Sequence, residues 1–195
     1  MKKLIVSLGL ALTLSFGATL DEGVEAFKKG DYKTALIILE DLASKNNDKA
    51  QFNLGVMYDN GYGVKQDYKK AKEWYEKAAA KGYAAAQSNL GFFYENGYEV
   101  KQDYKKAKEW YEKAAAQGDA EAQYNIGVYY AKGKVVKQDY KKAKELWEKA
   151  AAQGYLDAQY NIGVNYVKGK GVKQDYLKAK ELWEKAAAQG YLDAQ

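Results

Sequence analysis

The dipeptide Asp-Tyr returns every 36 residues along this 195-residue chain, at Asp31-Tyr32, Asp67-Tyr68, Asp103-Tyr104, Asp139-Tyr140 and Asp175-Tyr176. Nearly everything around the pair returns with it. A fixed period of this length marks a solenoid, in which each unit is too small to bury its apolar face alone and covers it with the next. Aligned on the pair, full units run over 48–83, 84–119, 120–155 and 156–191. A degenerate unit at 21–47 precedes them, and a stub at 192–195 follows. A chain that repeats its positions has little room for a unique catalytic constellation and much room for an extended surface.

Each unit reads as two helices. The first runs from about Ala50 to Tyr58 in AQFNLGVMY, with copies AQSNLGFFY, AQYNIGVYY and AQYNIGVNY. At a helical period Ala50, Leu54 and Tyr58 share a face, with Gln51 and Gly55 beside them. A helical glycine costs about 1 kcal/mol against alanine. Its retention at Gly55, Gly91, Gly127 and Gly163 predicts close approach of a neighbouring helix. The second helix starts at Asp67, a natural N-cap, and ends before Gly82. Ala71, Trp74, Tyr75, Ala78 and Ala79 form its apolar stripe, with Glu73 and Lys77 spaced for an i,i+4 pair on the outer face. In the last two units Trp-Tyr becomes Leu-Trp, at Leu146-Trp147 and Leu182-Trp183, which predicts repacking with the indole still buried. The loop between the helices keeps its first glycine in all four copies, as a helix C-cap would. It loses the second at Glu99 and Val135, which predicts a less demanding conformation there.

The N-terminus departs from the repeat. Met1-Lys2-Lys3 is a short basic segment, Leu4 to Leu14 is almost purely apolar, and small residues follow in Ser15-Phe16-Gly17-Ala18. This is the layout of a secretory signal peptide, 1–17, cleaved after Gly17 or alternatively Ala18. An exported protein, periplasmic or secreted, is expected, with a membrane role only if the segment stays uncleaved. The chain has no cysteine, so no disulfide can staple it. Its net charge of +5 is carried by lysine without any arginine, and lysine alternates with glutamate in segments such as KKAKEWYEKAAA. Nucleic-acid binders cluster basic residues and favour arginine, so no nucleic-acid partner is expected.

The pattern A-x-A-Q-x-N-[LI]-G-x-x-Y-x-x-G-x-x-V-x-x-D-Y-x-K-A-x-x-W-Y-x-K-A-A-x-x-G resembles the Sel1-like repeat, a relative of the tetratricopeptide repeat. The resemblance covers Asp48 to Gln195 and, more weakly, the chain from Asp21. It implies an all-α fold: a right-handed α-α superhelical solenoid of antiparallel helix pairs, with the first helices lining a concave side. It also implies a role as an adaptor that docks other proteins. One exported branch of that family is cysteine-rich and includes members described as β-lactam-binding or weakly β-lactam-hydrolysing. Its disulfide positions align here with Ala79 and Gln87, Ala115 and Gln123, and Ala151 and Gln159, none of them cysteine.

The residues argue against catalysis. Without histidine, cysteine or arginine there is no general base of neutral pKa, no Cys/His nucleophile and no usual zinc ligand set. Ser44 and Ser88 do not begin S-x-x-K, and no K-T-G occurs, so the serine β-lactamase motifs are missing. Neither a metal nor another cofactor is expected. Glu76, Glu112, Glu148 and Glu184 sit beside lysines, where ion pairing is the first reading.

The expected function is a non-catalytic scaffold that binds a protein or peptide on the first-helix face opposite the invariant stripe. That face carries Phe52, Asn53, Val56 and Asn60, then Ser88, Asn89, Phe92 and Asn96. Tyr124, Asn125, Val128 and Lys132 follow, then Tyr160, Asn161, Val164 and Lys168. It mixes aromatic anchors with amides, as recognition surfaces do. The asparagine present in every copy has two readings, a hydrogen bond to a bound peptide or a structural bond between neighbouring first helices. Two alternatives to the scaffold remain, a β-lactam-binding protein and a self-associating array. Self-association is suggested by the C-terminal unit: Gln138 to Gln159 and Gln174 to Gln195 differ only at Lys141 and Leu177, and no polar cap follows. The face around Leu182, Trp183 and Ala186 is expected to be exposed and adhesive.

Overall fold

The computed structural model describes residues 17–191, and all regular structure among them is helical. In chain order the helices are α1 (Leu20–Lys28), α2 (Tyr32–Ser44), α3 (Asp48–Asn60), α4 (Tyr68–Ala80), α5 (Ala84–Asn96), α6 (Tyr104–Ala116), α7 (Ala120–Lys132), α8 (Tyr140–Ala152), α9 (Leu156–Lys168) and α10 (Tyr176–Ala188). Consecutive helices pack as antiparallel pairs, so the expected all-α solenoid of helix pairs is what the chain forms. Apart from Gly17, the expected signal segment lies outside the described residues, as does 192–195. No described helix is long and apolar enough to cross a membrane.

The helices start where the sequence places caps. The Asp67 side chain accepts from the backbone N–H of Lys70, and Asp31, Asp103, Asp139 and Asp175 do the same for their own helices. Thr19 and Glu22 close a full capping box on α1. Each such cap contributes about 1 kcal/mol. The Asp of the recurring pair is therefore a helix initiator.

By their internal contacts the residues form two compact units, one up to Leu90 with Tyr98–Val100, the other Gly91–Gly97 with the chain from Lys101. The first is cored by Ala35, Leu39, Ala43, Ala50, Leu54 and Met57, with Phe27, Tyr32 and Trp74 packed against them. The second has Ala143, Trp147, Ala150, Ala158 and Ile162 at its core, flanked by Tyr124, Val128, Tyr155 and Leu182. Alanine dominates both cores. Small side chains let the helices approach closely, and the large rings then fill what remains.

The helical glycines show how. A Cβ on Gly55 would stand 2.5 Å from the Tyr75 ring, and one on Gly91 would stand 2.6 Å from the Tyr111 ring. On Gly127 and Gly163 it would collide with the indoles of Trp147 and Trp183. The expected close approach exists, and the approaching atoms are one aromatic ring from the second helix of the same pair.

Three expectations need correction. The second loop position is no less demanding in the copies that lack glycine. Gly63, Glu99, Val135 and Gly171 all have positive φ, at 68°, 51°, 52° and 69°. The loop needs the left-handed turn whatever residue occupies it. Second, the indole is not buried before it shifts; after the shift Trp147 is buried, as expected, and Trp183 is half-buried. Trp74 and Trp110 are half-buried, whereas Trp147 takes the fully enclosed place of Tyr75 and Tyr111. Third, Lys77 does not pair with Glu73. Its ammonium sits 3.9 Å from the Trp74 ring centroid, and the ion pair on the outer face runs from Lys72 to Glu76 instead. The half-exposed indole offers Lys77 a cation–π contact that competes with the carboxylate.

Candidate functional site

The buried polar groups are where chemistry would have to reside. In the first unit the Tyr75 hydroxyl donates to Asp59 at 3.0 Å. Burial pushes the Asp59 carboxyl above its ordinary value, and the Tyr75 hydrogen bond partly offsets this. In the second unit Tyr111 donates to Glu95 at 3.1 Å, and Lys134 reaches the other carboxylate oxygen at 3.2 Å. Burial, then the Glu95 charge, holds the Tyr111 hydroxyl far above the usual phenol range. The buried Tyr129 hydroxyl makes no well-formed hydrogen bond among the described residues, and burial, then the Glu95 charge, raises it likewise. These phenols stay protonated at any physiological pH, so none serves as a base or nucleophile.

The next two repeats explain why the carboxylates are there. Trp147 and Trp183 replace the tyrosines, and their Nε1 groups donate to the Tyr124 and Tyr160 carbonyls at 3.1 Å. With no phenol to satisfy, the acid positions become Ala131 and Val167. Asp59 and Glu95 are acceptors matched to a tyrosine. This pairing was visible at the 36-residue spacing but was not drawn from the sequence. Of the four glutamates weighed for acid–base chemistry, each is ion-paired on an outer face, with Lys72, Lys108, Lys144 and Lys180. No group of three or more acidic, histidine or cysteine residues able to hold a metal ion occurs among the described residues.

On the first-helix face, much of the aromatic surface is engaged within the repeat. Phe52 packs on Tyr83 with centroids 5.1 Å apart, Tyr124 on Tyr155 at 5.0 Å, and Tyr160 on Tyr191 at 5.6 Å. At the corresponding places in the second full repeat the sequence has Ser88 and Asp119, and Ser88 is buried. Asn53 donates to the Lys49 carbonyl at 2.8 Å, whereas Asn161 reaches the Tyr124 hydroxyl on the preceding first helix at 3.3 Å. Asn60 and Asn96 bond back to the Val56 and Phe92 carbonyls, both at 2.9 Å. Asn89 and Asn125 make no side-chain hydrogen bond among the described residues. In the second unit the outer surface is carried by Phe92, 41% exposed, by the half-buried Val128 and Val164, and by the exposed Asn96, Lys132 and Lys168.

The tyrosine of the recurring pair receives the loop of the next repeat. Tyr32 stacks on Tyr62 at 5.2 Å and Tyr68 on Tyr98 at 4.9 Å, while Lys134 lies over Tyr104 at 3.5 Å and Lys170 over Tyr140 at 5.0 Å. Gln66 and its copies fasten the same loop by donating to the carbonyls of Asp59, Glu95, Ala131 and Val167, at 2.7 to 2.8 Å. Loop cavities of about 420 Å³ and 550 Å³ recur beside these residues, the first bounded by Tyr58, Gln66 and Lys70, the second by Tyr130, Gln138 and Lys142. They recur because the fastening does. On α10, Ala186 is fully buried and Leu182 and Trp183 half-buried, contrary to expectation; the exposed apolar groups there are Tyr176 and Leu177, at 64% and 82%.

Comparison with known proteins locates this architecture. The chain matches the Sel1 repeat over 48–83, 84–119, 120–155 and 156–191. A Sel1 repeat protein from Oxalobacter formigenes is similar, at 36% identity and TM-score 0.84 over 90% of this chain and 72% of its own. So is c5321, a protective antigen of uropathogenic Escherichia coli with an SLR fold, at 40% identity and TM-score 0.74 over 80% of this chain and only 33% of its own. Cysteine rich protein B of Helicobacter pylori matches at 29% identity and TM-score 0.51, over 67% of this chain and 94% of its own. No match was found among proteins of curated function.

Proposed function

The chain belongs to the Sel1 repeat family, and on that premise we propose that it is a non-catalytic, exported scaffold that binds a protein or peptide along its first helices. The observation that carries this reading is the division of labour within the repeat. Recurring residues are consumed by its own construction: Asp67 caps, Gln66 fastens, Gly55 admits a ring, Tyr68 receives a loop. The outer face of the first helix is among the places where the copies differ, at Phe52, Ser88, Tyr124 and Tyr160 and at Asn60, Asn96, Lys132 and Lys168. In the second unit this is a row of Phe92, Val128 and Val164 flanked by Asn96, Lys132 and Lys168, an apolar strip with a mixed amide and basic edge. Such a strip suits an extended segment with apolar anchors and acidic flanks.

The test is site-specific photo-crosslinking in the producing cell, with the crosslinker at Phe92, Val128 or Lys132, and at Glu109 on α6 as the control. Crosslinks to one partner from the first-helix positions but not from Glu109 are expected; equal capture from Glu109, or none from α7, overturns the reading. Export is tested by fusing residues 1–18 to a reporter active only outside the cytoplasm. The β-lactam alternative predicts nitrocefin turnover abolished by a single substitution, and the scaffold reading predicts none. The self-association alternative places Tyr176 and Leu177 at a contact; light scattering that shows a dimer lost in Leu177→Lys would favour it.

A further inference from the structure

The second helices carry a site of their own in the second unit. Between α6 and α8, over the floor made by α7, lies a cavity of about 380 Å³. Ala115, Ala116, Ile126 and Leu146 give it an apolar lining, Tyr130 adds a ring, and Lys142, Lys149, Glu112 and Glu145 form the rim. That volume falls in the range of about 300–1,000 Å³ typical of ligand pockets.

Its origin is the Trp to Leu exchange. In the first unit the corresponding residue, Trp74, packs its indole against the core of α2 and α3, and Lys77 covers the ring at 3.9 Å. On α6 the same arrangement recurs within the helix, Lys113 covering Trp110 at 4.1 Å. At the third repeat the lysine remains as Lys149 while the indole is gone, replaced by Leu146. Leucine leaves the groove partly empty and Lys149 without the ring its counterparts cover. The fourth repeat has the same exchange, but there Lys185 is engaged with Glu181. Lys149 has no carboxylate partner among the described residues. Lys142, two helical turns away, lies over the Tyr130 ring at 5.4 Å and has no salt bridge among the described residues. Of the two rim glutamates, Glu112 is held by Lys108, which leaves Glu145, among the described residues, as the one rim acid without an ion pair against two such lysines.

We infer that this groove binds a partner peptide through one aromatic side chain, which takes the place that Trp74 fills in the first unit, with an adjacent carboxylate held by Lys149 and Lys142. The occupant's chemistry follows from the chain itself: a lysine poised to cover an indole, an apolar floor, and an excess of unpaired positive charge. The site stands apart from the first-helix strip and does not depend on what binds there.

The experiment uses the full mature chain, labelled for NMR, and the probe peptide acetyl-Glu-Trp-Glu-Asp-amide. Controls are acetyl-Glu-Ala-Glu-Asp-amide and acetyl-Lys-Trp-Lys-Lys-amide. Saturable shifts confined to Ala115, Ala116, Ile126 and Leu146 are expected with the acidic Trp peptide at millimolar concentration. The Leu146→Trp variant, which supplies the indole internally, is expected to abolish them, and Lys149→Glu to weaken binding about tenfold, as loss of a cation–π and a charge contact together implies. Each variant is checked for an unchanged helical spectrum, and Lys149→Glu, on an exposed position, keeps the test valid should Leu146→Trp not fold. No saturable shift, equal response to either control peptide, or undiminished binding by both variants overturns the proposal.

Discussion

Replacing Gly127 by alanine sets two effects against each other. Alanine in a helix interior is favoured over glycine by about 1 kcal/mol, so on backbone grounds the variant should be more stable. The packing says otherwise. The new Cβ would sit 2.6 Å from Cδ1 of Trp147 and closer still to Nε1, and the indole is buried with its N–H committed to the Tyr124 carbonyl. Restoring ordinary contact needs a shift of roughly 1 Å, enough to strain the ring among Ala143, Ala150 and Ile162 at about 1–3 kcal/mol. Breaking the indole bond inside the core adds about 1–3 kcal/mol. Net destabilisation of about 1–5 kcal/mol is expected once the helix preference for alanine is subtracted. Urea unfolding followed by circular dichroism measures it, and hydrogen exchange of α7 and α8 amides localises it, since a repeat array need not unfold in one step. Gly127→Ala made in a Trp147→Leu background should lose most of its cost. A Gly127→Ala chain as stable as the parent, or a cost undiminished in the double variant, refutes the account.

Two further perturbations test the corrected loop and the core. Val135 holds φ at 52° and is 42% exposed, a conformation that strains a β-branched residue by about 1–2 kcal/mol. Val135→Gly should raise stability by about 0.5–1 kcal/mol after the entropy of glycine is counted, whereas Gly171→Val should lower it, because a Cβ there meets the Tyr140 backbone at 2.8 Å; a thermal midpoint moving the opposite way in either variant contradicts the prediction for it. Asn165 is buried, with its Nδ2 unpartnered among the described residues, where the other repeats place Met57, Phe93 and Tyr129. Asn165→Met should stabilise the second unit by about 1–3 kcal/mol, and a drop in denaturant midpoint would show that the amide is satisfied in solution.

What the sequence disclosed follows from which interactions leave a periodic trace. Helix pairs, caps and the crowding at Gly55 were legible because each demands a particular residue type at a fixed place. The bond from Gln66 was not, although the glutamine recurs, because its acceptor is a main-chain carbonyl that any residue supplies. The left-handed turn at Glu99 and Val135 was misread because loss of glycine normally signals loss of the need for it; here the surrounding loop imposes the angle. On the candidate face, side-chain type marked Phe52 and Tyr160 as aromatic anchors, whereas both are half-buried against rings of their own repeats. It could not reveal that Tyr83 and Tyr191 lie over them, since those residues follow a turn whose direction only the fold supplies.

The tyrosine that receives each loop has a genealogical consequence. Residues that must match each other fall inside one 36-residue register: Gly55 with Tyr75, Asp59 with Tyr75 and Phe52 with Tyr83 all lie within 48–83. Contacts that cross from one register to the next mostly address something constant, the recurring tyrosine or a backbone carbonyl such as that of Ala43 or Ala79. A duplicated or recombined register therefore brings its matched partners with it and meets a neighbour already suited to receive it. Swapping whole registers should be tolerated where swapping single aromatic residues is not, which makes the register, rather than the residue, the unit on which selection can act.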